Sequence, residues 1–319
     1  MFEARRVVLT THLNADGDGA GSEAAVAAWL NERGIAPTIV NPTAFPRAFR
    51  FLIPDPSWVA DPDSVAGRVA LADADLFVVL DAAEPQRLAA LAGRFPPERT
   101  LVIDHHPAGG EAAGEITIQD PTAAATGELI WDLIHLSGDP LSDASALGIY
   151  VALVSDTGSF RYANTTPRVH AIASRLLAQG VNAEEVYRQL YATVPRRRLE
   201  LLREALATLQ VDAELPLAWM SVPREVGRRT GATSDDYEGL VEHIRSLEGI
   251  EVGILFRETY EGSTKLSLRS NGNANVNRIA RRFEGGGHEK ASGALVRARL
   301  AEVVPEVLEA ARAELRGTS

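Results

Sequence analysis

Short apolar runs alternate with longer amphipathic stretches over the first hundred residues. Val7–Thr10, Thr38–Val40, Leu76–Leu80 and Leu101–Ile103 are near-continuous apolar segments of strand length. Ser22–Arg33 instead carries apolar residues at helical spacing and stops at Gly34, a residue suited to a left-handed helix end. Strands that are apolar on both faces, separated by helices, predict an α/β unit with a mostly parallel sheet covered by helices on both sides. The middle of the chain is helical, with Ala123–Leu136, Asp143–Val154, Pro167–Gln179 and Ala183–Tyr191 all showing three- and four-residue spacing. Pro195–Gln210 reads as a connector helix, and its Arg196-Arg197-Arg198 run fits a solvated face better than a binding patch. Beyond Asp212 a smaller α/β unit is expected, with strands at Leu217–Met220, Glu251–Phe256 and Lys265–Arg269. Its helices are expected at Asp235–Leu247 and Asn275–Phe283, followed by a last strand and helix between Ala294 and Leu315.

The polar residues that interrupt this pattern collect at strand ends. His12-Leu13-Asn14-Ala15-Asp16-Gly17-Asp18 follows the first strand, Asp81 ends the strand at Leu76–Leu80, and Asp104-His105-His106 ends the one at Leu101–Ile103. Open α/β sheets bind ligands outside the carboxyl ends of their strands, so these distant segments are expected to converge on one rim. Asp156, in Ser155-Asp156-Thr157-Gly158, follows a helix. Each segment also has a plain structural reading: an Asp-Gly turn, a helix N-cap, a helix terminus. Asp104-His105-His106 fits such a reading least, because three consecutive metal-competent side chains are costly to bury without partners. An oxygen-rich donor set with a minority of imidazoles and no thiolate suits two divalent ions, Mn²⁺ first, with Mg²⁺ or Co²⁺ as substitutes. Elsewhere, Gly285-Gly286-Gly287-His288 offers main-chain N–H groups to an anion, and Arg161 supplies a fixed fork of donors suited to phosphate. His135, His170 and His243 lie within helical patterns and read as structural or surface residues.

Composition narrows the picture. A chain of 319 residues, 45% hydrophobic, exceeds what one core usually absorbs; the expected division is 1–190, a connector at 191–213, and 214–319. A net charge of −11 disfavours a protein that tracks long nucleic acid, while leaving short anionic substrates open at a locally basic or metal-bearing pocket. No apolar run approaches the roughly 20 residues that span a bilayer, and the first residues lead straight into a strand-like run. No membrane association and a cytoplasmic location are therefore expected. The absence of cysteine excludes disulfides and thiolate ligands.

Taken in order, His12-x-Asn14-Ala15-Asp16-Gly17-Asp18, Asp81, Asp104-His105-His106, Asp156-Thr157-Gly158-Ser159-Phe160 and Gly285-Gly286-Gly287-His288 resemble the DHH/DHHA1 phosphoesterase family over essentially the whole chain. The pattern is most similar to the short bacterial nanoRNase and pAp phosphatase group. The resemblance implies that His12, Asp16 and Asp81 hold one Mn²⁺ and that Asp18, Asp81, His105 and Asp156 hold a second, Asp81 bridging. It further implies that His106 contacts the scissile phosphate and that Asp104 orients the histidines. Arg269, His288, Gly286 and Gly287 would bind the far phosphate or base from the second domain, with Arg161, Asn275 and Asn277 as further contacts. The implied reaction is two-metal hydrolysis of short oligoribonucleotides to 5′-mononucleotides, and of 3′-phosphoadenosine-5′-phosphate (pAp) to AMP. Two alternatives stay open: a phosphodiesterase acting on cyclic di-AMP or linear pApA, and a non-catalytic nucleotide-binding module. The latter predicts a missing metal ligand, and none is missing. The expected partners are short RNA or small nucleotides, with a homodimer as the assembly to test.

Overall fold

The structure, a computed structural model, describes residues 4–259 and 261–317 and divides into two compact units, residues 1–193 and 194–319. The first unit runs β1 (Arg6–Thr10), α1 (Gly17–Glu32), β2 (Ala36–Ile39), α2 (Val65–Asp73), β3 (Leu76–Leu80), β4 (Thr100–Asp104) and β5 (Ile116–Gln119). Four helices follow: α3 (Thr126–Ser137), α4 (Asp143–Asp156), α5 (Pro167–Ala178) and α6 (Ala183–Leu190). The five strands pair in parallel in the order β2-β1-β3-β4-β5. Successive side chains of a strand point to opposite faces, and here both faces are apolar. Val7, Leu9, Val78, Leu80 and Ile103 join one core with buried residues of α1, α3, α4 and α5. Val8, Phe77, Val79 and Val102 join a second with Leu88, Leu91 and Phe95, flanked by Ala70 and Leu71 of α2.

Two helices of this unit start elsewhere than periodicity places them. Expected from Ser22, α1 begins at Gly17, because the Asp16 carboxylate accepts the N–H groups of Asp18 and Gly19 at 3.0 and 3.1 Å and acts as N-cap. Expected from Ala123, α3 begins at Thr126. The edge strand β5 escapes the apolar-run rule because its side chains are largely exposed. Helices α1 and α4 pack backbone to backbone: a Cβ on Gly21 would lie 2.5 Å from the Gly148 oxygen, and one on Gly148 would lie 2.6 Å from the Gly21 oxygen. Near the other end of the contact, a Cβ on Gly17 would meet Ser155 Oγ at 2.4 Å. The start of α1 therefore lies against the end of α4.

The second unit contains α7 (Arg196–Leu206), β6 (Gln210–Val211), β7 (Leu217–Val222), α8 (Arg224–Thr230), α9 (Leu240–Arg245) and β8 (Val252–Glu258). It continues through β9 (Thr264–Ser270), α10 (Val276–Arg281), β10 (Gly286–Gly287), β11 (Ala291–Val296) and α11 (Leu300–Gly317). Its sheet has the order β10-β11-β9-β8-β7-β6, antiparallel except for the β7–β8 pair. Leu217, Ile254, Phe256 and Leu268 pack with α10 and α11, and Ala218, Met220 and Leu255 with α7, α8 and α9. The helix expected over Asp235–Leu247 is split into a 3₁₀ turn at Ser234–Tyr237 and α9, because Gly239 between them takes φ 77°. The helix read as a connector buries Leu201 and Ala205 within this unit. Its arginine triplet is occupied there: Arg196 pairs with Glu200 and Arg197 with buried Asp236, both at 2.7 Å, while Arg198 donates to the Glu238 carbonyl at 2.8 Å. Among the described residues, no helix is long and apolar enough to cross a membrane.

Candidate metal centre

Parallel pairing puts the carboxyl ends of β1, β3 and β4 side by side, and each delivers donors to the same rim. His12 follows β1, Asp81 follows β3, and Asp104 ends β4 ahead of His105 and His106. Asp16 and Asp18 come from the start of α1 and Asp156 from the end of α4, which the close α1–α4 contact holds together. Three groups of donors result, His12-Asp16-Asp81, Asp18-His105-Asp156 and Asp81-His105-His106, each with its donor atoms within 4.8 Å of one another. Asp81 takes φ 60°, a left-handed conformation that costs a non-glycine residue on the order of 1–2 kcal/mol and recurs at functional sites.

The donor atoms face one another at more than hydrogen-bond length. His12 Nε2 lies 3.7 Å from Asp16 Oδ1 and 3.4 Å from Asp81 Oδ2. His105 Nε2 lies 3.6 Å from Asp18 Oδ2, 3.5 Å from Asp81 Oδ1 and 3.3 Å from Asp156 Oδ2. Donors bound at about 2.0–2.2 Å to a common ion are separated by about 3 to 3.6 Å, so these spacings suit cations. His12 Nε2 is buried and, among the described residues, has no hydrogen-bond partner, which leaves it aimed at the carboxylates. The Nδ1 atoms of His12 and His105 face main-chain carbonyls of Leu13 at 2.9 Å and Ala123 at 3.3 Å. A carbonyl only accepts, so Nδ1 carries hydrogen and Nε2 is the ligating nitrogen. The two oxygens of Asp81 are divided, Oδ2 toward His12 and Oδ1 toward His105 and His106. The donor set therefore fits divalent cations.

Asp104 is used differently. Its Oδ2 accepts the Ala83 N–H at 2.7 Å, and its Oδ1 accepts the main-chain N–H and Nδ1 of His106 at 3.0 and 2.8 Å. It orients His106 alone, His105 being held by the Ala123 carbonyl instead. His106 remains partly exposed, its Nδ1 turned to Asp104 and Asp81.

Without cations the centre retains protons. Burial opposes charge on His12, but the facing carboxylates of Asp16 and Asp81 outweigh it and lift the ring to about 10; His106 rises to about 9 against burial through Asp104 and Asp81. Burial and repulsion from Asp81 and Asp156 push Asp18 up; burial with repulsion from Asp16 and Asp81 pushes Asp156 to about 7. Despite burial, Asp81 is held low by His106 and His12.

The remaining expected residues divide between the units. In the first, Arg161 is exposed and donates from Nε to the Gly158 carbonyl at 2.6 Å. In the second, Arg269 engages Glu242 Oε1 at 2.8 Å and sits opposite Ala291 in the sheet. Gly286 and Gly287 form the short strand β10, and His288 is exposed beside it. Asn275 caps α10, its Oδ1 accepting the Asn277 N–H at 3.0 Å, and Asn277 Nδ2 pins the Gly287 carbonyl. Both asparagines thus have structural tasks around the glycine segment. Three residues at the rim escaped the sequence reading. Thr126 and Gly127, at the start of α3, bond Asp18 and Asp81, and their only signal is a Thr-Gly-Glu helix start. Arg87, six residues after Asp81, has no carboxylate partner among the described residues, and its charge opposes protonation of His106.

Comparison with known proteins identifies the family. The profile of the DHH family, N-terminal domain, matches residues 6–153, and that of the DHHA1 domain matches residues 219–317. A bifunctional oligoribonuclease and PAP phosphatase of Thermus thermophilus is 33% identical, the match spanning 97% of this chain and 90% of that protein. The chain belongs to the DHH phosphoesterase family. Another family member, the bifunctional oligoribonuclease and PAP phosphatase of Bacillus subtilis, is 27% identical over 91% of this chain and 89% of its own length. The crystal structure of an exopolyphosphatase-related protein from Bacteroides fragilis superposes with a TM-score of 0.89 at 30% identity, covering 97% of this chain and 92% of that one. The DHH assignment and the α/β architecture expected from the sequence both hold, and the chain is a metal-dependent phosphoesterase.

Proposed function

We propose that this protein is a Mn²⁺-dependent hydrolase that converts short oligoribonucleotides to 5′-mononucleotides and removes the 3′-phosphate of pAp. The observation that carries the reading is the donor geometry: two ligand groups, His12-Asp16 and Asp18-His105-Asp156, flank the divided carboxylate of Asp81. Asp16, Asp18, Asp81 and Asp156 bring four negative charges, which two divalent ions balance. When bound, such ions would supply Lewis acidity to water and to the phosphate ester. The protein's own residues do the rest. Asp104 fixes His106 through Nδ1, so that its partly exposed ring can hydrogen-bond a phosphate oxygen. Arg87 adds positive charge at the same rim for the substrate's phosphates. On the second unit, the Gly286-Gly287-His288 segment with Arg269 offers donors to a further phosphate or base, and Arg161, Asn275 and Asn277 are weaker contacts. The relatives' names, oligoribonuclease and PAP phosphatase, support this substrate class over cyclic di-AMP.

The test is a substrate panel with Mn²⁺: a 5′-labelled RNA of a few nucleotides, pAp, pApA and cyclic di-AMP. Mononucleotide release from RNA and phosphate release from pAp are expected, and Asp81→Ala should reduce both to background. Turnover in Asp81→Ala equal to that of the native chain would overturn the mechanism, and preferential cleavage of cyclic di-AMP would replace the substrate assignment.

A further inference from the structure

Thr126 is fully buried at the start of α3 and touches two of the carboxylates at once. Its main-chain N–H donates to Asp18 Oδ2 at 2.7 Å, and its hydroxyl donates to Asp81 Oδ1 at 3.2 Å. The next N–H, of Gly127, donates to Asp18 Oδ1 at 3.0 Å, where Ser22 Oγ also donates at 3.3 Å. Asp18 and Asp81 lie 108 and 45 residues away in sequence, so these bonds are purely tertiary.

These bonds divide the lone pairs of the two carboxylates. A carboxylate oxygen has two good acceptor directions. On Asp18 Oδ2 one is taken by the Thr126 N–H, leaving the other for the side facing His105 Nε2. On Asp81 Oδ1 the Thr126 hydroxyl occupies one direction and the remainder faces His105 and His106. The turn that presents Thr126 is itself clamped. Glu128 accepts the Ala124 N–H at 2.9 Å and Arg168 Nε at 2.6 Å, and Asn164 Nδ2 donates to the carbonyls of Ala124 and Asp156, each at 3.1 Å. A β-branched side chain in a fixed turn has little rotamer freedom, so the hydroxyl is held where it is needed.

We propose that Thr126 is a positioning residue of the metal centre, its hydroxyl and N–H turning Asp81 and Asp18 so that their free lone pairs converge on the cation positions. The proposal rests on the reading that this centre binds divalent cations. Groups that orient metal ligands in this way typically cost 10–100-fold in affinity when lost. Thr126→Val keeps the N–H and nearly the volume but removes the hydroxyl; Thr126→Ser keeps the hydroxyl.

The experiment is a Mn²⁺ titration of the intact chain followed by electron paramagnetic resonance, with thermal unfolding in chelator as the fold control. Thr126→Val should weaken Mn²⁺ binding about 10–100-fold, and Thr126→Ser should bind like the native chain. Native affinity in Thr126→Val, or equal weakening in the Val and Ser variants, would overturn the positioning role. If Thr126→Val does not fold, Thr126→Ala against Thr126→Ser decides the same question in the same way. A native chain that binds no Mn²⁺ in this titration overturns the cation reading itself. Bound Mn²⁺ without hydrolysis of RNA or pAp overturns the proposed substrates and leaves the Thr126 comparison intact.

Discussion

Glu23 lies on α1 with no exposure to solvent, one oxygen accepting Asn41 Nδ2 at 3.0 Å and the other without a partner among the described residues. Asn41 in turn accepts the main-chain N–H of Thr11 at 3.2 Å, so this buried carboxyl supports the backbone immediately before His12. Burial lifts Glu23 from the usual 4.5 to about 8, with Asn41 and the charge of His12 pulling the other way. Between 4.5 and 8 the folded chain keeps a proton that the unfolded chain releases, so stability falls as pH rises through that window and is fully retained only below it. Each unit of displacement is worth about 1.4 kcal/mol. In metal-free protein, the urea midpoint should therefore drop from pH 5 to pH 8 more steeply in the native chain than in Glu23→Gln. The native and Gln profiles running parallel across that range would refute a neutral Glu23.

At the scale of elements, the centre depends on how closely α1 and α4 approach. A Cβ on Gly21 would lie 2.5 Å from the Gly148 oxygen and 2.9 Å from the Ala152 nitrogen, both main-chain atoms of α4 that no rotamer change can move. Gly21→Ala gains about 1 kcal/mol of helix propensity, yet forcing extra volume into a packed contact costs about 1–3 kcal/mol and pushes the helices apart. Because Asp18 sits on one helix and Asp156 on the other, Gly21→Ala should lower the denaturation midpoint and also weaken Mn²⁺ binding; a more stable variant with native Mn²⁺ affinity contradicts this. Sequence patterns revealed the elements whose side chains face a core, such as β1, β3 and β4, because apolar runs report burial directly. They did not reveal β5, whose side chains face solvent, or the breaks at Asp16, Thr126 and Gly239, which hydrogen bonds and a left-handed glycine determine. The metal-competent residues were legible because Asp104-His105-His106 is costly to bury without partners and the other segments fall around it at strand and helix ends in one family's order, although Asp16 also serves as an ordinary N-cap. Thr126 was not, since its role exists only through Asp18 and Asp81, and neither were the local bonds by which Asn275 and Asn277 close the structure around Gly287.

For the whole molecule, the division of labour follows from where the donors and cores lie. Every donor of the three metal-competent groups falls between His12 and Asp156, and the two cores of the first unit draw only on residues before Thr193. Among the described residues, the first unit carries an apolar interior of its own, as a part that folds alone needs. Mn²⁺ binding should then survive truncation: residues 1–193, checked for native-like circular dichroism, are expected to titrate with the dissociation constant of the full chain. Substrate recognition should not survive in the same way. If Gly286, Gly287, His288 and Arg269 supply nucleotide contacts, their removal takes away binding energy that the metal ligands cannot replace, and kcat/KM for pAp and short RNA should fall steeply. A generic activated phosphate ester, with no nucleotide to recognise, should lose much less. Loss of Mn²⁺ binding in a folded 1–193 would show that the centre depends on the second unit. Native kcat/KM for pAp in the truncated chain would show that nucleotide recognition lies with Arg87, His106 and Arg161 of the first.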